Sequence, residues 1–238
     1  MSGAGRVAGA AADGEGFDGL PDDGAPVGDQ PADGVRSDGV IEVVGGDERT
    51  IVLTFDDGPN PPDTADLLDL LAREDVPAVF FLVGERVVEH PDLVARIAAD
   101  GHVLGNHSWR HDDLGDASPD VVHADLTRTL DAIRDAVPGA PVPYWRAPFG
   151  SWGATVDVAA GLGMRSMGWH TAVEDWVPPG VDELVRRMEA VAPGGVILLH
   201  DGGGDRSQTV AAVARFVPLM RERGWVFEVP GVDLSPAR

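Results

Sequence analysis

The apolar residues of this chain come in short runs, separated by segments of a different period. Residues 51–55, 78–83, 102–105, 142–146, 164–168, 196–199 and 225–229 are mostly uninterrupted by charge. Runs of that length predict strands buried on both faces. Between them, apolar positions recur every three or four residues. Over 118–137 they fall at Val122, Leu126, Leu130, Ile133 and Val137, which lines one face of a helix. Ser118 suits its N-cap, Pro119 its first position, and Pro138-Gly139 ends it. The same period predicts helices over 64–73, 91–99, 155–161, 182–191 and 207–223, the last expected to kink or split at Pro218. Seven strands alternating with helices predict a parallel α/β architecture. Periodicity alone fits a closed barrel and an open sheet equally.

Residues 1 to about 40 break this pattern. They are rich in glycine and aspartate and hold no aromatic except Phe17. Such a stretch buries too little apolar surface to offset its ordering entropy, which predicts a disordered acidic tail before a folded body over 41–238. A linker whose preceding part is missing would have the same composition. A first edge strand is expected around Val40–Val44.

Composition narrows the chemistry. With 238 residues and 43% hydrophobic content the chain can build a real core. It has no cysteine, which excludes disulfides, thiolate catalysis and cysteine-ligated zinc. No run approaches the roughly 20 apolar residues of a membrane span. No basic-then-apolar signal segment opens the sequence, so as written it reads as cytoplasmic. The 40 acidic residues against 18 basic ones give a net charge of -22, and every basic residue is arginine. That excess excludes nucleic acid and anionic membranes as partners. A salt-adapted surface and an arginine-biased genome both account for it. Oligomeric state leaves no trace in the sequence.

The ionisable residues that interrupt the pattern share a position. Asp56-Asp57-Gly58 follows the first strand, His107 and His111 the third, Arg146 ends the fourth, Asp175-Trp176 lies beyond the fifth, and His200-Asp201 ends the sixth. The carboxyl ends of parallel strands form one face, and that face carries the active site. Adjacent aspartates repel unless a cation or an arginine offsets them. In an extended chain they point in different directions, one towards a metal and one towards a substrate water. An Asp-Gly turn would read the same in isolation. The H-x3-H spacing sets two imidazoles on one side of a helical turn. With Asp57 they make three ligands and leave a position open, as in catalytic zinc sites. Arg146 can orient a carboxylate, and the Pro-Gly loop after it offers backbone N–H groups to an oxyanion. His200, at the end of a buried strand, is placed as a general acid.

Together, Thr54-Phe55-Asp56-Asp57-Gly58, His107-Ser108-Trp109-Arg110-His111, Arg146-Ala147-Pro148-Phe149-Gly150 and Leu198-Leu199-His200 resemble the ordered motifs T-F-D-D-G, H-[ST]-x-x-H, R-x-P-[YF]-G and L-x-H. These motifs belong to the polysaccharide deacetylase family, carbohydrate esterase family 4. The resemblance covers about residues 50–230. It implies a distorted (β/α)7 barrel, TIM-barrel-like, that hydrolyses N-acetyl groups on a carbohydrate. It implies Asp57, His107 and His111 as the ligands of a divalent metal, zinc first with cobalt or nickel as alternatives. Asp56 matches the general base, His200 the general acid, and Arg146 the residue that positions the base. Phe149 matches the oxyanion N–H donor, with Pro148 beside it, Leu198 the wall at the acetyl methyl, and Trp176 a pocket aromatic. One position departs. Ala172 stands where D-x-x-D-W has its first aspartate, which in the family helps set the protonation of the acid histidine. Asp175, Glu174 or His170 could take that part.

Two other functions fit the same residues. One is a metal-dependent amidase on a small non-carbohydrate amide. The other is a catalytically impaired glycan-binding relative, which Ala172 favours and intact Asp56 and His200 oppose. The substrates implied by the resemblance, peptidoglycan and chitin, lie outside the cell. Trp109, Trp145, Trp152, Trp169 and Trp176 lie in or beside the motifs as sugar platforms, with at least half expected in the core.

Overall fold

The computed structural model describes residues 35–36, 38–45, 49–177 and 179–230. Among them the elements run β1 (Thr50–Gly58), α1 (Asp63–Glu74), β2 (Val79–Leu82), α2 (Gly84–Glu89), α3 (Pro91–Ala99), β3 (Val103–Asn106), α4 (Pro119–Ala136) and β4 (Tyr144–Trp145). They continue with α5 (Thr155–Gly161), β5 (Arg165–Ser166), β6 (Thr171–Ala172), α6 (Val181–Met188), β7 (Val196–His200), α7 (Ser207–Glu222) and β8 (Val226–Phe227). The strands pair in parallel in the order β5-β4-β3-β2-β1-β7-β6, and β8 lies along the start of β1. The short α2 and the two-residue β6 add to the elements expected from periodicity. Neither is long enough to show a period.

The sheet curls into a distorted barrel with a gap between β5 and β6, which do not pair. Residues 41–44 cross that gap. Ile41 donates to the Ser166 carbonyl and accepts from the Gly168 N–H, the Val196 N–H donates to Glu42, and the Val44 N–H donates to Gly194. Val40 is fully buried and Val35 bridges Ile41, so packed chain begins ahead of position 41. The rest of the expected tail, residues 1–34 and 37, lies outside the described residues.

Strand alternation sorts side chains into two layers. Ile51, Leu53, Phe55, Phe80, Leu82, Leu104, Ile197 and Leu199 face outward and pack under the helices in one cluster. Val52, Val79, Phe81, Val103, Tyr144, Met167 and Val196 fill the barrel interior. On β1 the interior face therefore runs Val52, Thr54, Asp56, and on β7 Val196, Leu198, His200. Each begins apolar at the foot of the barrel and ends in a titratable group at the carboxyl rim. Gly105 of β3 makes room for this interior, since a Cβ there would lie 2.5 Å from the Phe81 ring.

Of the kink or split expected at Pro218, the split does not occur, and α7 is continuous through it. Pro218 and Ala214, whose carbonyl loses its helical donor, are both exposed, so water can take that carbonyl. Phe80 stacks on Phe55 with centroids 5.3 Å apart and touches His102 at the same distance. Phe80→Ala should lower unfolding free energy by about 3–5 kcal/mol, read from the denaturant midpoint.

Candidate metal centre and active site

The interior faces of β1, β4 and β7 and the loop after β3 meet at one rim. Arg146, just after β4, is fully buried there. Its Nη1 donates to Asp56 Oδ1 at 2.8 Å and to Thr54 Oγ1 at 2.7 Å. Nη2 donates to the Gly168 carbonyl at 2.7 Å and Nε to the Met167 carbonyl at 3.0 Å. The guanidinium lies 4.1 Å over the Phe81 ring. Burial pushes the Arg146 pKa down, and Asp56 works against that shift.

β1 carries an irregularity in its pairing with β2 between Asp56 and Gly58, and Asp57 has φ 71°. A left-handed residue at this point breaks the alternation. Both carboxylates therefore reach the same imidazole, instead of pointing apart as an extended chain would have them. His107 Nε2 lies 3.6 Å from Asp56 Oδ2 and 3.5 Å from Asp57 Oδ1. His111 Nε2 lies 3.4 Å from Asp57 Oδ1. The segment carrying the two histidines is also not the expected helical turn. It is a loop, with φ 66° at Ser108 and 63° at His111.

This group fits a cation. One ligand atom from each of Asp57, His107 and His111 lies within 4.8 Å of the others. Asp57 Oδ1 is buried with no hydrogen-bond partner. Burial raises the Asp57 pKa, but the adjacent His107 imidazole and the charges of His111 and His200 outweigh it and hold the carboxyl well below the usual range. Burial also disfavours a charged His107, and there Asp56 and Asp57 more than offset it, so its pKa rises. The potential that holds a proton at His107 Nε2 is the one a cation would use. His107 Nδ1 sits 2.9 Å from the Arg146 carbonyl, an acceptor only, so Nδ1 carries a hydrogen. Burial pushes His111 down to about 4, leaving it neutral and ready as a ligand.

Asp175 holds His200. His200 Nδ1 is 2.7 Å from Asp175 Oδ1, and the His200 N–H donates to Oδ2 at 2.9 Å. Thr209 Oγ1 also donates to Oδ2, at 2.7 Å. Burial lowers the His200 pKa, but Asp175 outweighs it, with smaller help from Asp57 and Asp56, and the imidazole is pushed up to about 9. The other two residues able to replace the aspartate missing at 172 are engaged elsewhere, Glu174 with Arg187 and His170 with Thr171. Ala172 itself lies in β6 opposite Leu198.

Leu198 is buried in β7, and Pro148 is buried in a short 3-10 turn. Phe149, in that turn, has φ 58°, and its ring meets His111 edge-on at 4.5 Å. Trp176 is half-buried with its ring 5.3 Å from His200. Of the five motif tryptophans only Trp145 is fully buried. The other four are half-buried, and of these Trp152 and Trp169 pack against the core, so three of the five serve the core as expected. Sequence reading missed Thr54, although its i, i+2 spacing from Asp56 puts both on one strand face. Thr209 lies on α7 with no local signal. Asp201, counted among the rim residues in the sequence, was given no role there. It is buried, accepts from Thr64 Oγ1 at 2.6 Å, and is pushed up to about 7 chiefly by burial.

Residues 44–167 match the family model for polysaccharide deacetylases. A chitooligosaccharide deacetylase from Rhizobium leguminosarum bv. trifolii is 39% identical over 198 residues, covering 78% of this chain and 92% of the relative. The structure of the Bc1960 peptidoglycan N-acetylglucosamine deacetylase superposes with a TM-score of 0.75 at 29% identity, covering 79% of this chain and 88% of that one. A family 4 carbohydrate esterase pseudoenzyme from Bacillus anthracis superposes equally well, TM-score 0.75, at 26% identity over 81% of this chain and 67% of its own.

A raised folded-state pKa means that His200 stabilises the fold in full below about pH 6.5, and that this is lost as pH rises through about 9. In the metal-free protein, NMR should show the His200 ring titrating near 9, and Asp175→Asn should move it down towards 6.5.

Proposed function

We propose that this chain, which belongs to the polysaccharide deacetylase family, is a metal-dependent hydrolase that removes N-acetyl groups from glucosamine units of a chitin- or peptidoglycan-type glycan. The observation that carries this reading is one rim holding a cation-ready triad, a carboxylate held by arginine and a histidine held by aspartate. A divalent ion held by Asp57, His107 and His111, zinc by its donor set with cobalt or nickel as alternatives, would lower the pKa of a water and polarise the amide carbonyl.

The remaining chemistry belongs to the side chains. Arg146 fixes Asp56 through Oδ1 and leaves Oδ2 facing the triad, where it takes the proton of the attacking water. The Phe149 N–H stabilises the oxyanion. His200, protonated and held at Nδ1 by Asp175, keeps Nε2 for the departing nitrogen and protonates it, so the C–N bond breaks to free amine and acetate. Leu198 walls the acetyl methyl. Trp176 and the exposed Val177 beside it offer an apolar ledge to a sugar ring. The similarity to a pseudoenzyme and the alanine at 172 would favour a binding-only role. Asp175 meets that objection, because it pairs with His200 and holds the acid without a carboxylate at 172.

Acetate release from N-acetylglucosamine oligomers, measured beside release from small acetylated amides, tests the substrate class. Activity on small amides alone would overturn the glycan assignment. Asp56→Asn should lower kcat about 10²–10⁴-fold while the protein still takes up zinc. Near-normal turnover in that variant would remove Asp56 from its role as base. Dialysis against a chelator should abolish acetate release, and added zinc should restore it.

A further inference from the structure

The loop that carries His107 and His111 has left-handed backbone at two of its five residues and no helical hydrogen bonds of its own. Something outside it must set the spacing of the two imidazoles. Its backbone shows what does. The Ser108 N–H donates to Asn106 Oδ1 at 3.0 Å, and Asn106 Nδ2 donates to the Leu126 carbonyl of α4 at 2.9 Å. The Gly84 and Glu85 N–H groups at the start of α2 donate to the Ser108 and Trp109 carbonyls, each at 3.0 Å. The Trp109 N–H donates to Asp125 Oδ1 on α4 at 2.9 Å. Every backbone polar group of Ser108 and Trp109 is thus tied to a neighbouring element.

The Trp109 side chain locks the same joint. A Cβ at Gly84 would sit 2.4 Å from Trp109 Cε3, so the indole lies against bare backbone at α2. Arg128 of α4 lies 3.6 Å over the ring. The indole is a wedge between α2 and α4, and its backbone is pinned to both.

We propose that Asp125 and Gly84 are positioning residues for the metal centre, acting through Trp109 on the geometry of His107 and His111. Neither touches the ligands. The inference rests on reading Asp57, His107 and His111 as metal ligands. Asp125→Ala leaves the Trp109 N–H without its acceptor and removes the loop's direct hydrogen bond to α4. Gly84→Ala drives the indole out of its slot. Groups hydrogen-bonded directly to metal ligands typically change affinity about 10–100-fold when removed, and Asp125 and Gly84, one contact further back, should act at the lower end of that range.

The test is Zn2+ and Co2+ affinity of the full chain, measured by chelator competition. The variants are Asp125→Ala, Asp125→Asn, Gly84→Ala and Leu130→Ala. Leu130 is buried on the same helix, so its truncation loosens α4 without touching the loop. Asp125→Ala and Gly84→Ala should each weaken Zn2+ binding at least about 10-fold. Asp125→Asn, which keeps an acceptor oxygen, should stay within a few-fold of wild type, as should Leu130→Ala. The visible absorption of the Co2+ form should change in Asp125→Ala and stay unchanged in Leu130→Ala. Wild-type affinity in Asp125→Ala, or an equal loss in Leu130→Ala, overturns the positioning role while leaving the metal site intact. Failure of the wild-type chain to take up either ion overturns the metal reading, and this inference with it.

Discussion

Arg146 brings a full positive charge into the barrel with no exposure to solvent, and the catalytic rim is arranged around keeping it paired. Burying a guanidinium costs several kcal/mol unless charge and hydrogen bonds return it. Here Asp56, Thr54 and the carbonyls of Met167 and Gly168 take its donors, and Phe81 takes its face. Each partner sets a condition elsewhere. Thr54 and Asp56 must share one face of β1. Phe81 can reach inward only because residue 105 is glycine. The Gly168 backbone is held by Ile41, so the segment that crosses the barrel gap also supports the arginine. The Arg146 carbonyl in turn fixes the tautomer of His107. One buried charge thereby couples the proposed base, a proposed metal ligand and the closure of the barrel.

Strain gathers at the same rim. The described non-glycine residues with positive φ are Asp57, Asp75, Ser108, His111, Phe149 and Glu174. Asp75 ends α1, where a left-handed residue is ordinary. The others border the triad, the 3-10 turn or Asp175. Such backbone persists only where surrounding contacts over-determine it. The ties around Ser108 and Trp109 are contacts of that kind.

The sequence was legible where burial set the pattern. β1, β2 and β7 stand out because both their faces are covered, and the acids and histidines stand out because they end those strands. It was less legible where geometry departs from the regular element. The run over 142–146 shrinks to Tyr144–Trp145, as Pro143 has no N–H for a ladder. Neighbouring aspartates in a strand should diverge, and a bulge at Asp57 makes them converge. An H-x3-H spacing suggests a helix, and nothing local in Ser108-Trp109-Arg110 announces a loop held by Asp125, fourteen residues beyond His111. The partner of His200 was ambiguous among three residues, because a pairing across 25 positions is decided by the barrel.

Within the acidic chain, net charge -22, the described carboxylates fall into two physically different populations. On the surface, arginines such as Arg96, Arg186 and Arg215 pair with nearby acids in exposed bridges that contribute little to stability. Most of the excess aspartate there simply faces water. Around the rim, Asp56, Asp57, Asp63, Asp175 and Asp201 are all buried, with only Arg146 and Arg206 buried beside them. Asp56, Asp63 and Asp175 are satisfied by hydrogen bonds. Asp201 and Asp57 each keep a buried oxygen without a partner, and they meet the cost in opposite ways. Asp201, pushed up to about 7, can take a proton and become neutral. Asp57 is held ionised by the imidazoles around it, at distances too long to satisfy its oxygen. A buried carboxylate kept charged but unsatisfied between two histidines calls for a cation rather than a proton, and among the described acids Asp57 is the one so placed.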